Sequence, residues 1–240
     1  MKGQTALVLS GGGARAAYQV GVLKALVRLH REQAALNDAP IPFSVLCGTS
    51  AGAINATALA CRADYFAGAV DAIAQVWENF LAEQIYRSDA RGIARTGAQW
   101  LAVMSVGWML GHHARVAPRF LLDNTPLIDL LPRWAPLDAL PRQFAAGHLR
   151  ALGIGASSYT SGEHLTFFQS AEGGNGYART QRLAVPVRLG IEHLLASAAI
   201  PFIFPAQRVE HADHAGWYGD GSMRQIAPIS PPFTSARSAC

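Results

Sequence analysis

Phe43-Ser44-Val45-Leu46-Cys47-Gly48-Thr49-Ser50-Ala51-Gly52-Ala53-Ile54 passes from a short apolar run, through two glycines around a serine, into an alanine-rich segment that ends near Ala60. Phe43 to Cys47 reads as a buried strand, and the alanine-rich segment reads as a helix. Gly48 to Gly52 fits G-x-S-x-G, and its place between strand and helix matters more than its letters. A serine hydroxyl is a poor nucleophile until a neighbouring group takes its proton. A sharp strand-to-helix turn presents it, and the flanking glycines are required where side chains would collide with neighbouring elements. Ser50 then stands at a helix N-terminus, whose free amides and dipole favour developing negative charge. The plainer alternative is a glycine-bearing turn in which Ser50 only caps the helix.

Upstream, Thr5 to Ser10 reads as a strand and about Ala17 to Arg31 as a helix, with Tyr18, Val22, Leu26 and Leu29 recurring at helical spacing. Strand, helix, strand and helix with short joints imply a βαβ unit with parallel strands. The joint Gly11-Gly12-Gly13-Ala14-Arg15-Ala16 lies after the strand expected beside the one feeding Ser50. Amides there are placed to meet an oxyanion next to Ser50. Gly11, Gly13 and Ala16 also satisfy the dinucleotide fingerprint G-x-G-x-x-[GA], but that site needs an acid at the end of the second strand. Here that strand ends in Cys47-Gly48-Thr49-Ser50, which argues against a dinucleotide. No Gly-Lys-Ser/Thr follows either, so a P-loop fails.

Downstream, Asp64 is placed to cap a helix whose apolar face is Phe66, Val70, Ile73, Trp77, Phe80 and Leu81. Arg87 to Pro141 reads as a separate stretch of short helices holding Trp100, Met104, Trp108 and Met109. Strands return at Leu149 to Ser157, His164 to Gln169 and Leu183 to Val187. A helix from Gly190 to Ile200 stops at Pro201, and Trp217 to Gly219 is a last strand leading into Asp220. The fold expected is one α/β domain over residues 1–230, a three-layer α/β/α arrangement with a mostly parallel central sheet, followed by a disordered tail at 231–240.

Composition agrees with an ordinary globular domain: 240 residues, 50% hydrophobic, with a formal charge of only +4. That surplus is too thin to argue for nucleic acid, although it is compatible with an anionic membrane surface. Cys47, Cys61 and Cys240 show neither metal nor disulfide spacing, which suits a reducing compartment. The apolar run Thr5 to Leu9 is broken by Gly11, unlike a signal peptide. The stretch Ala98 to Leu110 falls short of the roughly 20 residues that span a bilayer. The expected location is cytoplasmic, with peripheral membrane contact or export without a signal peptide left open.

The proton acceptor is harder to choose. A triad would combine Asp123, Asp129 or Asp138 with His193, His211 or His214, and no local context favours any of them. Asp220, in Tyr218-Gly219-Asp220-Gly221, has small neighbours that let a carboxylate approach another loop. A desolvated carboxylate held against a serine hydroxyl serves as a direct base. Asp220 taken alone also fits a turn.

Together these pieces resemble the patatin-like phospholipase family, which carries G-x-G-x-x-G after the first strand, G-x-S-x-G after the second and a late D-G-[GA]. The matching stretches are Gly11 to Ala16, Gly48 to Gly52 and Asp220 to Ser222, and Ala196 to Pro201 with Phe204-Pro205 resembles the family's segment before the aspartate. The resemblance, which runs from Thr5 to about Ser230, implies a Ser–Asp dyad without histidine. On that resemblance Ser50 is expected to attack the acyl carbonyl, Asp220 to take its proton and later activate water, and the amides of the Gly11–Gly13 loop to receive the oxyanion. It implies phospholipid or acylglycerol substrates and no metal, calcium or other cofactor. Gly48, Gly52 and Gly221 support the motifs, while Arg15 falls at the family's arginine with structural and headgroup roles both open. The segment 87–141 is expected to line an acyl pocket or form a lid.

Ala16 replaces the motif's last glycine, and Ser222 stands where the family has Gly or Ala, so that its hydroxyl is placed to compete for the carboxylate. Residues 232–240 show neither strand nor helix periodicity, so the C-terminus reads as shortened, with a sheet edge uncovered and either low stability or a covering partner expected. The sequence leaves the oligomeric state open. The other readings carried forward are a catalytically impaired lipid-binding protein of this fold and a Ser-His-Asp esterase acting on small soluble esters.

Overall fold

The computed structural model describes residues 5–34, 39–79, 81, 85 and 122–224. Strands β1 (Ala6–Leu9) and β2 (Val45–Thr49) pair in parallel and are joined by helix α1 (Ala17–Ala34). From β2 the chain enters α2 (Ala51–Ala60) and then α3 (Phe66–Glu78). Two further helices, α4 (Thr125–Trp134) and α5 (Leu140–Ala145), precede β3 (Ala151–Ser158) and β4 (His164–Ser170). The remaining elements are β5 (Tyr177–Arg179), β6 (Arg182–Pro186), α6 (Ile191–Ala198), β7 (Gln207–Val209) and β8 (Gly216–Asp220).

The sheet runs β1-β2-β3-β4-β6-β5, with β8 added to β3 and β7 to β8. It is more mixed than expected. The β1–β2, β2–β3 and β4–β6 pairings are parallel, whereas β3–β4, β3–β8, β5–β6 and β7–β8 are antiparallel. Helices form the crossovers of the β1–β2 and β2–β3 pairs, whereas β4 reaches its parallel neighbour β6 through strand β5. The joint between β3 and β4 is too short for a helix, so these strands return as a hairpin.

Alternation along the strands separates two faces. Leu46, Leu152, Ile154, Leu165 and Phe167 are buried in the main core with residues of α1, α2, α3 and α6. Val45, Cys47 and Ala151 form a second, smaller apolar cluster on the opposite face. Burial in that surrounding pushes the Cys47 thiol up to about 12, and burial does the same at Cys61, so both are unreactive near neutral pH.

Several local expectations change. Tyr18, Val22 and Leu29 face solvent, and Val20, Leu23 and Val27 form the buried stripe of α1. The helix carries two apolar stripes: the second is buried in the core, and of the first only Leu26 packs against it. Asp64 does not cap α3, whose N-cap residue is Tyr65; Asp64 instead accepts a hydrogen bond from Gln143 Nε2 at 2.9 Å. On α3, Phe66, Val70 and Ile73 are buried as expected, while Leu81 beyond its end is exposed. Phe80, most of the segment 87–141 and the tail 231–240, with the shortened end read from them, lie outside the described residues.

His164, at the start of β4, is buried, and neither ring nitrogen has a hydrogen-bond partner among the described residues. Burial, with Arg182 and Arg224 adding repulsion, pushes its imidazole down from 6.5 to about 4. The unfolded chain therefore binds this proton more readily than the folded one. The contribution of this one group to stability is full above about pH 6.5, falls as pH drops through the window from 6.5 to 4, and levels off below it. The expected loss is on the order of 3 kcal/mol. Denaturant titrations across that range should show it, and His164→Leu should flatten the profile.

Candidate active site

The register of the sheet brings the site together. Along one edge of β3, β2 covers Ala151 to Gly155, its last residue Thr49 standing opposite Gly155. The same edge continues with β8, whose last residue Asp220 stands opposite Ala156. Because β2 is parallel and β8 antiparallel to β3, their C-terminal ends meet head to head, one register step apart. Ser50, just past the end of β2, therefore faces Asp220 although 170 positions separate them, and Ser50 Oγ donates to Asp220 Oδ2 at 2.7 Å. Both residues are buried, with relative exposures of 4% and 5%.

The turn that holds Ser50 is strained. Its φ of 55° and ψ of −132° lie where residues with a β-carbon are rarely found, at a cost of about 1–3 kcal/mol. The surrounding contacts impose that conformation. A β-carbon on Gly48 would stand 2.4 Å from the carbonyl oxygen of Gly52, and one on Gly52 would stand 2.3 Å from that of Leu9. Glycine at both positions lets α2 start directly against β1 and β2. Ser50 is the N-cap of α2, its carbonyl accepting from Ala53 N–H at 2.9 Å.

Helix α6 ties both halves of the site. Ser50 N–H donates to Ser197 Oγ at 2.8 Å, and Ser197 Oγ donates to the Gly155 carbonyl at 2.6 Å. Just past the end of the same helix, the Ala199 carbonyl accepts from Asp220 N–H at 2.9 Å. The second carboxylate oxygen is also fixed, since Asp220 Oδ1 accepts from Ser222 N–H at 2.7 Å. Ser197 escapes a reading of single residues, because a serine in an alanine-rich helix looks like filler. Its signal was its place in Ala196 to Pro201. Replacing it with alanine leaves a buried amide and a buried carbonyl unpaired, which costs about 1–3 kcal/mol. Ser197→Ala should therefore lower the melting midpoint. If Ser50 is the nucleophile, kcat should fall about tenfold or more with KM nearly unchanged, as steady-state kinetics would show.

The glycine loop lies beside this pair. Gly11 packs closely, since a β-carbon there would be 3.1 Å from Ser50 Cβ. Gly12 and Gly13 are exposed, and Gly13 has a φ of 53°. Arg15 is exposed and its backbone N–H donates to the Gly12 carbonyl at 3.0 Å. Buried Asn55 on α2 anchors the far end of the loop, donating to the Ala16 carbonyl at 3.3 Å and to Gln19 Oε1 at 3.1 Å. Gln19 Nε2 in turn donates to the Ser10 carbonyl at 2.7 Å. Gly221 is equally constrained, for its β-carbon would stand 2.4 Å from the Gly155 carbonyl oxygen.

The triad candidates lie elsewhere. His193 Nδ1 accepts from Gly190 N–H at 2.9 Å, and its ring packs edge-on against Phe167. Asp123 Oδ1 accepts from Thr125 N–H at 2.9 Å, and Asp129 and Asp138 are exposed. His211 and His214 flank a short 3-10 turn between β7 and β8. Among the described residues, no histidine hydrogen-bonds to Ser50. A cavity of about 300 Å³ lies on the opposite face of the sheet, against Val45, Cys47, Gly153, Phe168 and Tyr177, and Ser50 and Asp220 do not line it.

Comparison with known proteins gives a family and several solved structures. A family model described as patatin-like phospholipase matches residues 7–233. No curated protein matches the chain. The chain is similar to full-length ExoU from the type III secretion system of Pseudomonas aeruginosa, solved in complex with full-length SpcU. That match has 18% identity and a TM-score of 0.35, covering 69% of this chain and 34% of that one. A second crystal structure of the type III effector protein ExoU matches at 18% identity and a TM-score of 0.33, covering 68% and 35%. The chain thus spans about a third of the length of these structures.

Proposed function

This chain belongs to the patatin-like phospholipase family, and we propose that it is a lipid acyl hydrolase working through a Ser50–Asp220 dyad. The observation that carries this reading is the 2.7 Å hydrogen bond from Ser50 Oγ to Asp220 Oδ2, made by a buried carboxylate whose other oxygen is already fixed. Ser50 Oγ attacks the acyl carbonyl while its proton passes to Asp220. The tetrahedral oxyanion is received by the amides of the Gly11–Gly13 loop. Collapse expels the glycerol oxygen, which takes the proton from Asp220, and the acyl group remains on Ser50. Asp220 then takes a proton from water, which attacks the acyl-enzyme, and the fatty acid leaves as Ser50 regains its proton.

The strained backbone of Ser50 supports this reading, because strain of this kind persists where the surroundings over-determine it and clusters at functional sites. The substrates proposed are phospholipids or acylglycerols, met at a membrane surface. The test is release of free fatty acid from phosphatidylcholine vesicles and from p-nitrophenyl esters of increasing chain length. Release from both lipid and medium-chain ester is expected. Cleavage of p-nitrophenyl acetate alone would favour a small-ester hydrolase, and vesicle binding without any turnover would favour a lipid-binding protein.

A further inference from the structure

Ser222 carries a hydroxyl that no described residue uses. Its Oγ is buried and has no hydrogen-bond partner among the described residues. Buried hydroxyls are normally paired, and an unpaired one next to a reactive group calls for an explanation. The backbone at this position is fixed, since Ser222 N–H donates to Asp220 Oδ1 at 2.7 Å within the 3-10 turn Gly221–Met223. Its side chain reaches the glycine loop. A β-carbon on Gly11 would stand 2.0 Å from Ser222 Oγ and 3.1 Å from Ser50 Cβ. The hydroxyl thus occupies the wedge between Gly11 and Ser50, on the loop assigned to the oxyanion, and the competition for the carboxylate expected of it does not occur. Asp220 takes the Ser222 amide and the Ser50 hydroxyl instead.

A hydroxyl rotates freely and offers one donor. The charge that develops beside Ser50 and Gly11 during acylation is a carbonyl oxygen becoming an oxyanion. We propose that Ser222 is a catalytic residue whose Oγ–H donates to that oxyanion, a side-chain donor added to the backbone amides of the Gly11–Gly13 loop. The proposal rests on Ser50 being the nucleophile. It explains why an unpaired buried hydroxyl is kept in the free protein: its partner is created by the reaction.

Ser222→Ala removes the donor and leaves the amide bond to Asp220 in place. On a medium-chain p-nitrophenyl ester, kcat should fall about 10²- to 10³-fold with KM within about twofold. Affinity for a trifluoromethyl ketone of the same chain length, which forms a tetrahedral adduct with a serine nucleophile, should fall by the same factor. The melting midpoint should stay or rise, because a buried unpaired polar group is lost. Ser222→Cys, of similar size but a weak donor, should behave like Ser222→Ala. Unchanged or raised kcat in Ser222→Ala overturns the proposal while an active parent leaves the dyad standing. A fall in kcat that comes with a lower melting midpoint and unchanged ketone affinity also overturns it, in favour of a structural role. A parent with neither turnover nor ketone binding overturns the Ser50 reading and this proposal with it.

Discussion

Ser50→Ala should lower acyl-ester turnover by on the order of 10⁴-fold or more, with the fold intact. The substitution removes a single oxygen and leaves every backbone contact of the turn in place. Ser50 N–H still reaches Ser197 Oγ, and the Ser50 carbonyl still receives Ala53 N–H. Alanine has a β-carbon like serine, so the strain at φ 55° is nearly unchanged. Binding to a lipid vesicle should survive, because Ser50 is buried and its loss of one oxygen leaves the protein surface unchanged. Turnover by purified parent and variant, with circular dichroism as the control for folding, checks this directly.

Asp220→Asn is the second large effect, and it is more informative than alanine. Asparagine keeps the size of the side chain and an oxygen that can still accept from Ser222 N–H. The backbone bond from residue 220 to the Ala199 carbonyl is unaffected. What disappears is the proton acceptor for Ser50 Oγ. General bases contribute about 10²–10⁴-fold, and here the same group would also activate the hydrolytic water. A loss of about 10³-fold or more in kcat, with a circular dichroism spectrum like the parent's, is expected. A variant that retains a tenth or more of the parent rate would mean that another group takes the proton.

Much of this site was legible because local sequence rules coincide with it. Gly48 and Gly52 are imposed by contacts between adjacent elements, and the strand-to-helix context around Ser50 is visible within a dozen residues. The partner of Ser50 was harder to read for a physical reason. Asp220 reaches it through the register of β8 against β3, a tertiary pairing that no local pattern encodes. Its small neighbours Gly219 and Gly221 allowed a close approach to another loop, and the order of motifs along the chain pointed to Ser50 as what it meets. The role of Ser197 was hidden in the same way, since a hydrogen bond to an amide 147 positions away leaves no periodic trace. The exposed stripe on α1 shows the opposite limit. Tyr18, Val22 and Leu29 are apolar at helical spacing, and Val20, Leu23 and Val27 are equally so, and packing into the core chose between them. Strands β5 and β7 are each only three residues long, too short for alternation to register.

A serine activated by Asp220 should react with a fluorophosphonate, and labelling the intact protein, with the modified peptide mapped by mass spectrometry, asks whether Ser50 is that serine. One adduct, on Ser50, is expected, formed at a much lower rate in Asp220→Asn. An adduct on another residue, or labelling of Ser50 at the parent rate in Asp220→Asn, would mean that Ser50 is not a nucleophile activated by Asp220.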